Sequence, residues 1–140
     1  MFQRILVAVD SSPARRSAVR LAGDMARLTG AKVTVLHVAV SVADLTAVVP
    51  LEDDAEAKAV LDEAVTALRD AGIDAEGAVV SALNTQIATT ISSAAEAYLA
   101  DLLVLGPHHH GLLETLFSPR VSDAVVHAGR TAVLLAPREG

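Results

Sequence analysis

The run Leu102-Leu103-Val104-Leu105, bounded by Asp101 and Gly106, does most to narrow what this chain can fold into. Consecutive apolar residues without polar alternation read as a strand covered on both faces, the environment of a parallel sheet between helix layers. The same signature recurs at Ile5–Val9, which stops at Asp10, and Val33–Val38 reads as a second strand. It returns at Thr131–Ala136, which stops at Pro137. Ile73–Val80 reads as a more polar strand, nearer an edge.

Helical periodicity fills the gaps. Ala18, Leu21, Ala22, Met25 and Leu28 form one apolar stripe, with Ser12-Pro13 as its N-terminal signal and Gly30 as its stop. Glu52-Asp53-Asp54 suits a first helical turn by charge; Ala57, Leu61, Ala64, Leu68 and Ala71 follow as a buried stripe that Gly72 ends. Asn84 or Thr85 is placed to cap a helix whose inner face is Ile87, Ile91, Ala94, Ala95 and Tyr98. Ser118-Pro119 starts a last helix, which buries Val121, Ala124, Val125 and Ala128 and closes at Gly129. Ala39 to Leu51 fits no single period and is interrupted by Pro50, so a long crossover loop with a short helical turn is expected there. Strands alternating with helices predict an α/β fold: one domain over residues 1–140, a doubly wound open parallel sheet of five strands, and helices on both faces.

Several function classes drop out on composition. The formal net charge of -6 gives no electrostatic reason to expect nucleic acid or an anionic membrane as partner. Arg15, Arg16 and Arg20 lie close together, read here as a solvated helix face. The absence of cysteine removes disulfides, thiolate zinc sites and a cysteine nucleophile. The opening apolar run ends at Asp10, too early for a signal segment, and no run reaches membrane-spanning length, so a cytoplasmic protein is expected.

In a doubly wound sheet, ligands bind beyond the carboxyl ends of strands where the strand order reverses. The stretches to interrogate are therefore 10–12, 38–40, 81–85 and 106–120. None carries G-x-x-x-x-G-K-[ST], a G-x-G-x-x-G after the first strand, or a G-x-S-x-G elbow. No paired carboxylates, nucleophile–base set or metal constellation stands out, so catalysis has little support. His108, His109 and His110 are neighbours in a loop whose side chains diverge, and a solvated loop rather than a metal site is expected. Asp10 is equally readable as a ligand contact and as a turn residue bonding the N–H groups of Ser11 and Ser12.

The segments ILVAVDSSPARRSAVRLA, KVTVLHV, ADLLVLG, SPRVSDAVVHAG and TAVLLAP together resemble the universal stress protein family over essentially the whole length. The resemblance implies the strand order 3-2-1-4-5 and a homodimer joined through the last strand, Thr131–Ala136. It also implies an adenine-nucleotide pocket. Asp10 and Val38 match its nucleoside contacts. The candidate nucleotide-binding residues around them are Ala8, Val9, Ser11, Leu105, Gly106, His108, His109, Pro119, Arg120, Val121 and Ser122.

ATP-binding members carry G-x-x-G, nine residues, then G-[ST] after the fourth strand. Here Gly106 fits the first glycine, His109 stands for the second, and Pro119-Arg120 replace the closing pair. Histidine adds bulk where backbone must approach phosphate, and proline removes an amide donor. Arginine removes a hydroxyl and adds a charged fork. The expectation is a non-enzymatic stress-response module, homodimeric, with a degenerate pocket that does not bind ATP tightly. The competing class is a sensor of ATP, AMP or a cyclic nucleotide with slow hydrolysis, for which Asp10 is the obvious magnesium-holding candidate.

Overall fold

The computed structural model describes residues 2–10, 12–43, 45–50, 53–106 and 131–137. Its centre is β1 (Arg4–Val9), flanked on both sides by parallel partners. On one side lies β2 (Lys32–Ala43), with Ile5 opposite Val33; on the other lies β5 (Leu102–Leu105), with Ile5 opposite Leu102. β4 (Ala75–Leu83) pairs in parallel with β2, and β6 (Ala132–Leu135) with β5. The order β4-β2-β1-β5-β6 is the predicted 3-2-1-4-5 arrangement.

One strand was not foreseen. β2 runs to Ala43 and turns back as β3 (Val48–Pro50), pairing antiparallel with Ser41–Ala43, so the sheet has six strands among the described residues. The expected crossover loop over 39–51 is thus largely a hairpin. The β-branched residues Val40, Val42, Val48 and Val49 suit a pleated surface, and Pro50 sits at the strand end where a missing N–H is tolerated.

The pleat divides the core in two. Ile5, Val7 and Val9 point to one face, against α1 (Arg15–Thr29) and α2 (Asp54–Asp70). Leu6 and Ala8 point to the other, where α3 (Ile87–Ala97) packs through Ala88, Ile91, Ala94 and Ala95. Right-handed crossovers account for this: β1 to β2 and β2 to β4 step one way, β4 to β5 steps back. The carboxyl ends of β1 and β5 are left as the point of divergence. Gly77 in β4 lets α2 approach closely, because a Cβ there would stand 2.8 Å from Leu61 Cγ and 2.9 Å from Val65 Cγ2.

Helix ends follow the local sequence signals in some places and depart from them in others. Gly30 and Gly72 hold positive φ at the ends of α1 and α2, and Asp53 caps α2 by accepting the Glu56 N–H at 2.7 Å. Ser12 does not cap α1: the helix starts at Arg15, and Ser12 forms the preceding turn, its carbonyl accepting the Arg15 N–H at 3.1 Å. α3 starts later than expected, with Asn84 and Thr85 in the turn and Gln86 at the cap without a side-chain bond. Leu28 is 82 % exposed, because the buried row of α1 follows Ala18, Ala22 and Ala26 instead. Ala71, at the C-cap of α2, is exposed too. The helix expected from Ser118-Pro119 to Gly129 and the histidine run lie outside the described residues. Among the described residues no helix is long and apolar enough to cross a membrane.

Candidate functional site

Where β1 ends, the chain must leave a buried strand and enter a helix, and its backbone donors need partners. Asp10 supplies one: its Oδ1 accepts the Ser12 N–H at 2.8 Å, closing a tight side-chain turn. Arg15 then holds the turn from the helix side. Its backbone N–H and its Nη1, the latter at 3.0 Å, both donate to the Ser12 carbonyl. Its Nη2 reaches Glu63 of α2 at 3.3 Å. Only 12 % of the Arg15 side chain is exposed.

Gly106 follows β5 directly and is buried beside this turn. Ala8, Val9, Asp10, Ser12, Ala14, Arg15 and Gly106 line a shallow recess with no room for a water molecule, so these residues form a floor rather than a whole pocket. Within it the Ser12 Oγ is buried and has no hydrogen-bond partner among the described residues. Buried hydroxyls are normally satisfied, so this group is suited to a polar ligand atom. Among the described residues packing does not demand Gly106: a Cβ there would meet Ala14 O at 3.8 Å and Ala18 Cβ at 3.9 Å, ordinary contacts.

Of the residues singled out in the sequence, the recess brings together Ala8, Val9, Asp10 and Gly106. Val38 and Leu105, 5 % and 0 % exposed, sit in the α3-side core with Ala8 and do not line it. Ser11, His108, His109, Pro119, Arg120, Val121 and Ser122 lie outside the described residues. Ser12, Ala14 and Arg15 were not among the predicted site residues. The hydroxyl pair Ser11-Ser12 directly after a strand-end aspartate was the available signal, and it was spent on a capping role. His37, paired in register with Val9, is fully buried in β2 and takes no part in the recess.

Among the described residues the recess offers one carboxylate, one hydroxyl, one guanidinium and backbone groups, with no base placed beside a nucleophile. Such a set can hold a polar ligand; it is not a catalytic pair.

Comparison with known proteins identifies the family of the chain. Universal stress protein A of Escherichia coli strain K12 is 29 % identical over 141 residues, covering 99 % of this chain and 98 % of the relative. A universal stress protein from Archaeoglobus fulgidus has a similar structure, with TM-score 0.66 and 26 % identity, covering 98 % of this chain and 95 % of that one. Another, solved in complex with cAMP, gives TM-score 0.67 and 26 % identity, covering 96 % of each chain. The universal stress protein family profile itself matches residues 1–137, and the chain belongs to that family.

Proposed function

We propose that the protein is a non-enzymatic regulatory module, homodimeric, whose adenine-nucleotide pocket keeps its nucleoside-facing floor and has lost its grip on a triphosphate. The observation that carries this reading is the Asp10–Ser12 turn beside Gly106, where Ser12 lines the recess and its buried Oγ has no hydrogen-bond partner among the described residues. A glycine that packing among the described residues does not require, next to a hydroxyl without a partner among them, fits a backbone approached by a ligand. The relative bound to cAMP supports an adenosine monophosphate as the ligand class.

The phosphate-side departures are in the sequence: His109 for glycine, and Pro119-Arg120 for glycine and a hydroxyl residue. A guanidinium can hold one phosphate group, whereas a triphosphate needs a row of convergent amides that proline interrupts. For dimerisation, the support is β6. Among the described residues it pairs only with β5, and it is apolar along its length, with Leu135 44 % exposed. An apolar sheet edge of this kind calls for a covering partner.

Mass spectrometry of small molecules released from protein purified without a tag tests the ligand reading. The expected result is no stoichiometric ATP. ATP recovered at one molecule per chain would overturn it.

A further inference from the structure

α1 opens on two cations, Arg15 and Arg16, and has no acidic residue in its first turn. A helix N-terminus carries partial positive charge, so this order runs against the dipole. Arg15 is nonetheless drawn in: only 12 % of its side chain is exposed, against 60 % for its neighbour Arg16. What holds it there is the turn that precedes the helix.

The Ser12 carbonyl oxygen accepts from Arg15 twice, from the backbone N–H at 3.1 Å and from Nη1 at 3.0 Å. Nη2 of the same guanidinium donates to Oε2 of Glu63 at 3.3 Å, 48 residues along the chain in α2. Glu63 is steadied in turn by Arg16, whose Nε donates to Oε1 at 3.1 Å. One planar fork thus ties the turn after β1 to α2. Asp10 fixes the same residue from the strand side, accepting the Ser12 N–H at 2.8 Å. Both backbone polar groups of Ser12 are therefore bound, while its buried Oγ has no partner among the described residues. A residue clamped through its backbone, with a buried hydroxyl of this kind, is arranged as a pre-organised ligand contact is.

We propose that Arg15 is the positioning residue of the recess: anchored on Glu63, it fixes the Ser12 backbone so that the Ser12 hydroxyl is pre-organised for the ligand. This role rests on the recess being the ligand floor described above. Shape rather than charge makes the link. Lysine would carry the same charge, but its single ammonium lacks the rigid fork with which one guanidinium meets the carbonyl and the carboxylate together. Glu63 is half-exposed, so its share is the smaller one.

Two measurements test this: calorimetric titration of cAMP into the full chain, and amide nitrogen relaxation of the ligand-free chain. Arg15→Gln should weaken cAMP at least about fivefold and lower the order parameter of the Ser12 amide. Arg15→Lys should resemble it. Glu63→Gln, a surface change, should weaken cAMP by about twofold. Arg16→Gln removes the neighbouring charge without touching Ser12 and should leave both readouts unchanged. In a Ser12→Ala background, Arg15→Gln should cost less than about twofold, because its effect runs through the missing hydroxyl. Full rescue by Arg15→Lys, or equal losses with and without the Ser12 hydroxyl, would overturn the proposal. So would an unchanged Ser12 order parameter in Arg15→Gln. A natural chain that binds no cAMP would instead remove the adenosine monophosphate reading, and the relaxation data would still decide the role of Arg15.

Discussion

The Asp10 carboxylate accepts the backbone N–H of Ser12 at 2.8 Å, so the residue proposed to meet a ligand is also the one that shapes the turn after β1. The two roles are separable by substitution. Asp10→Ala removes a charge-assisted bond to a part-buried amide and should cost about 1–2 kcal/mol of stability. Asp10→Asn keeps an acceptor and should fall between Ala and the natural chain in urea unfolding. A ligand role would make both variants lose affinity for cAMP. Unchanged unfolding in Asp10→Ala would contradict the turn assignment.

Two helix ends share one hydrogen-bond pattern with different residues. After α2, Gly72 N–H donates to Arg69 O and Ile73 N–H to Leu68 O, with Gly72 at φ 83°. After α3, Leu99 N–H donates to Glu96 O and Ala100 N–H to Ala95 O, with Leu99 at φ 56°. A leucine in the left-handed region is strained by its Cβ, and this one is 64 % exposed, so little packing offsets the cost. Leu99→Gly should stabilise the fold by about 0.5–1 kcal/mol, the strain relieved less the added unfolded-state entropy. Gly72→Ala should destabilise it by about 1 kcal/mol. Thermal unfolding of both variants reads the contrast; equal signs would contradict it.

Glu63 is held below its ordinary value of 4.5 by the hydrogen bond from Arg16 and the charge of Arg15. A carboxylate with a lowered folded value stabilises the fold above its ordinary value, and loses that contribution as pH falls through the lowered one. The deficit of Glu63→Gln should therefore be small at neutral pH, since the pair is solvent-exposed, should shrink once pH falls below the ordinary value, and should vanish below the lowered one. Urea midpoints followed from about pH 7 to about pH 3 would show the curves converging. A deficit independent of pH would assign the effect to packing.

At the opposite sheet edge, Leu135→Lys places a charge on the apolar β6. Light scattering should give a dimer mass for the natural chain at micromolar concentration and a monomer mass for the variant. A monomeric natural chain would remove the dimer from the account.

The sequence made the central sheet legible because its strands are buried on both faces. Leu102–Leu105 and the run ending at Asp10 have no polar alternation to confuse with a helix. Glycine stops were equally plain at Gly30 and Gly72, where positive φ excludes most residues. The hairpin of β2 and β3 was hidden because half-exposed valines fit several periods, and pairing is a non-local property. Ser12 was misassigned because a Ser-Pro pair signals a helix start without fixing its register. The recess needed the fold, since Asp10 and Gly106 are far apart in sequence. The arginine cluster of α1, read as a solvated face, borders a cavity whose other wall is supplied by α2.

The central claim is that His109 and Pro119-Arg120 cost the pocket its hold on a triphosphate. Its most direct test is ATP–magnesium affinity, measured by calorimetry on the natural chain beside a variant carrying His109→Gly, Pro119→Gly and Arg120→Ser. The natural chain should show no binding tighter than about 1 µM, and the variant should gain at least about tenfold. Clear stoichiometric binding below that threshold by the natural chain, with no gain in the variant, would contradict the account.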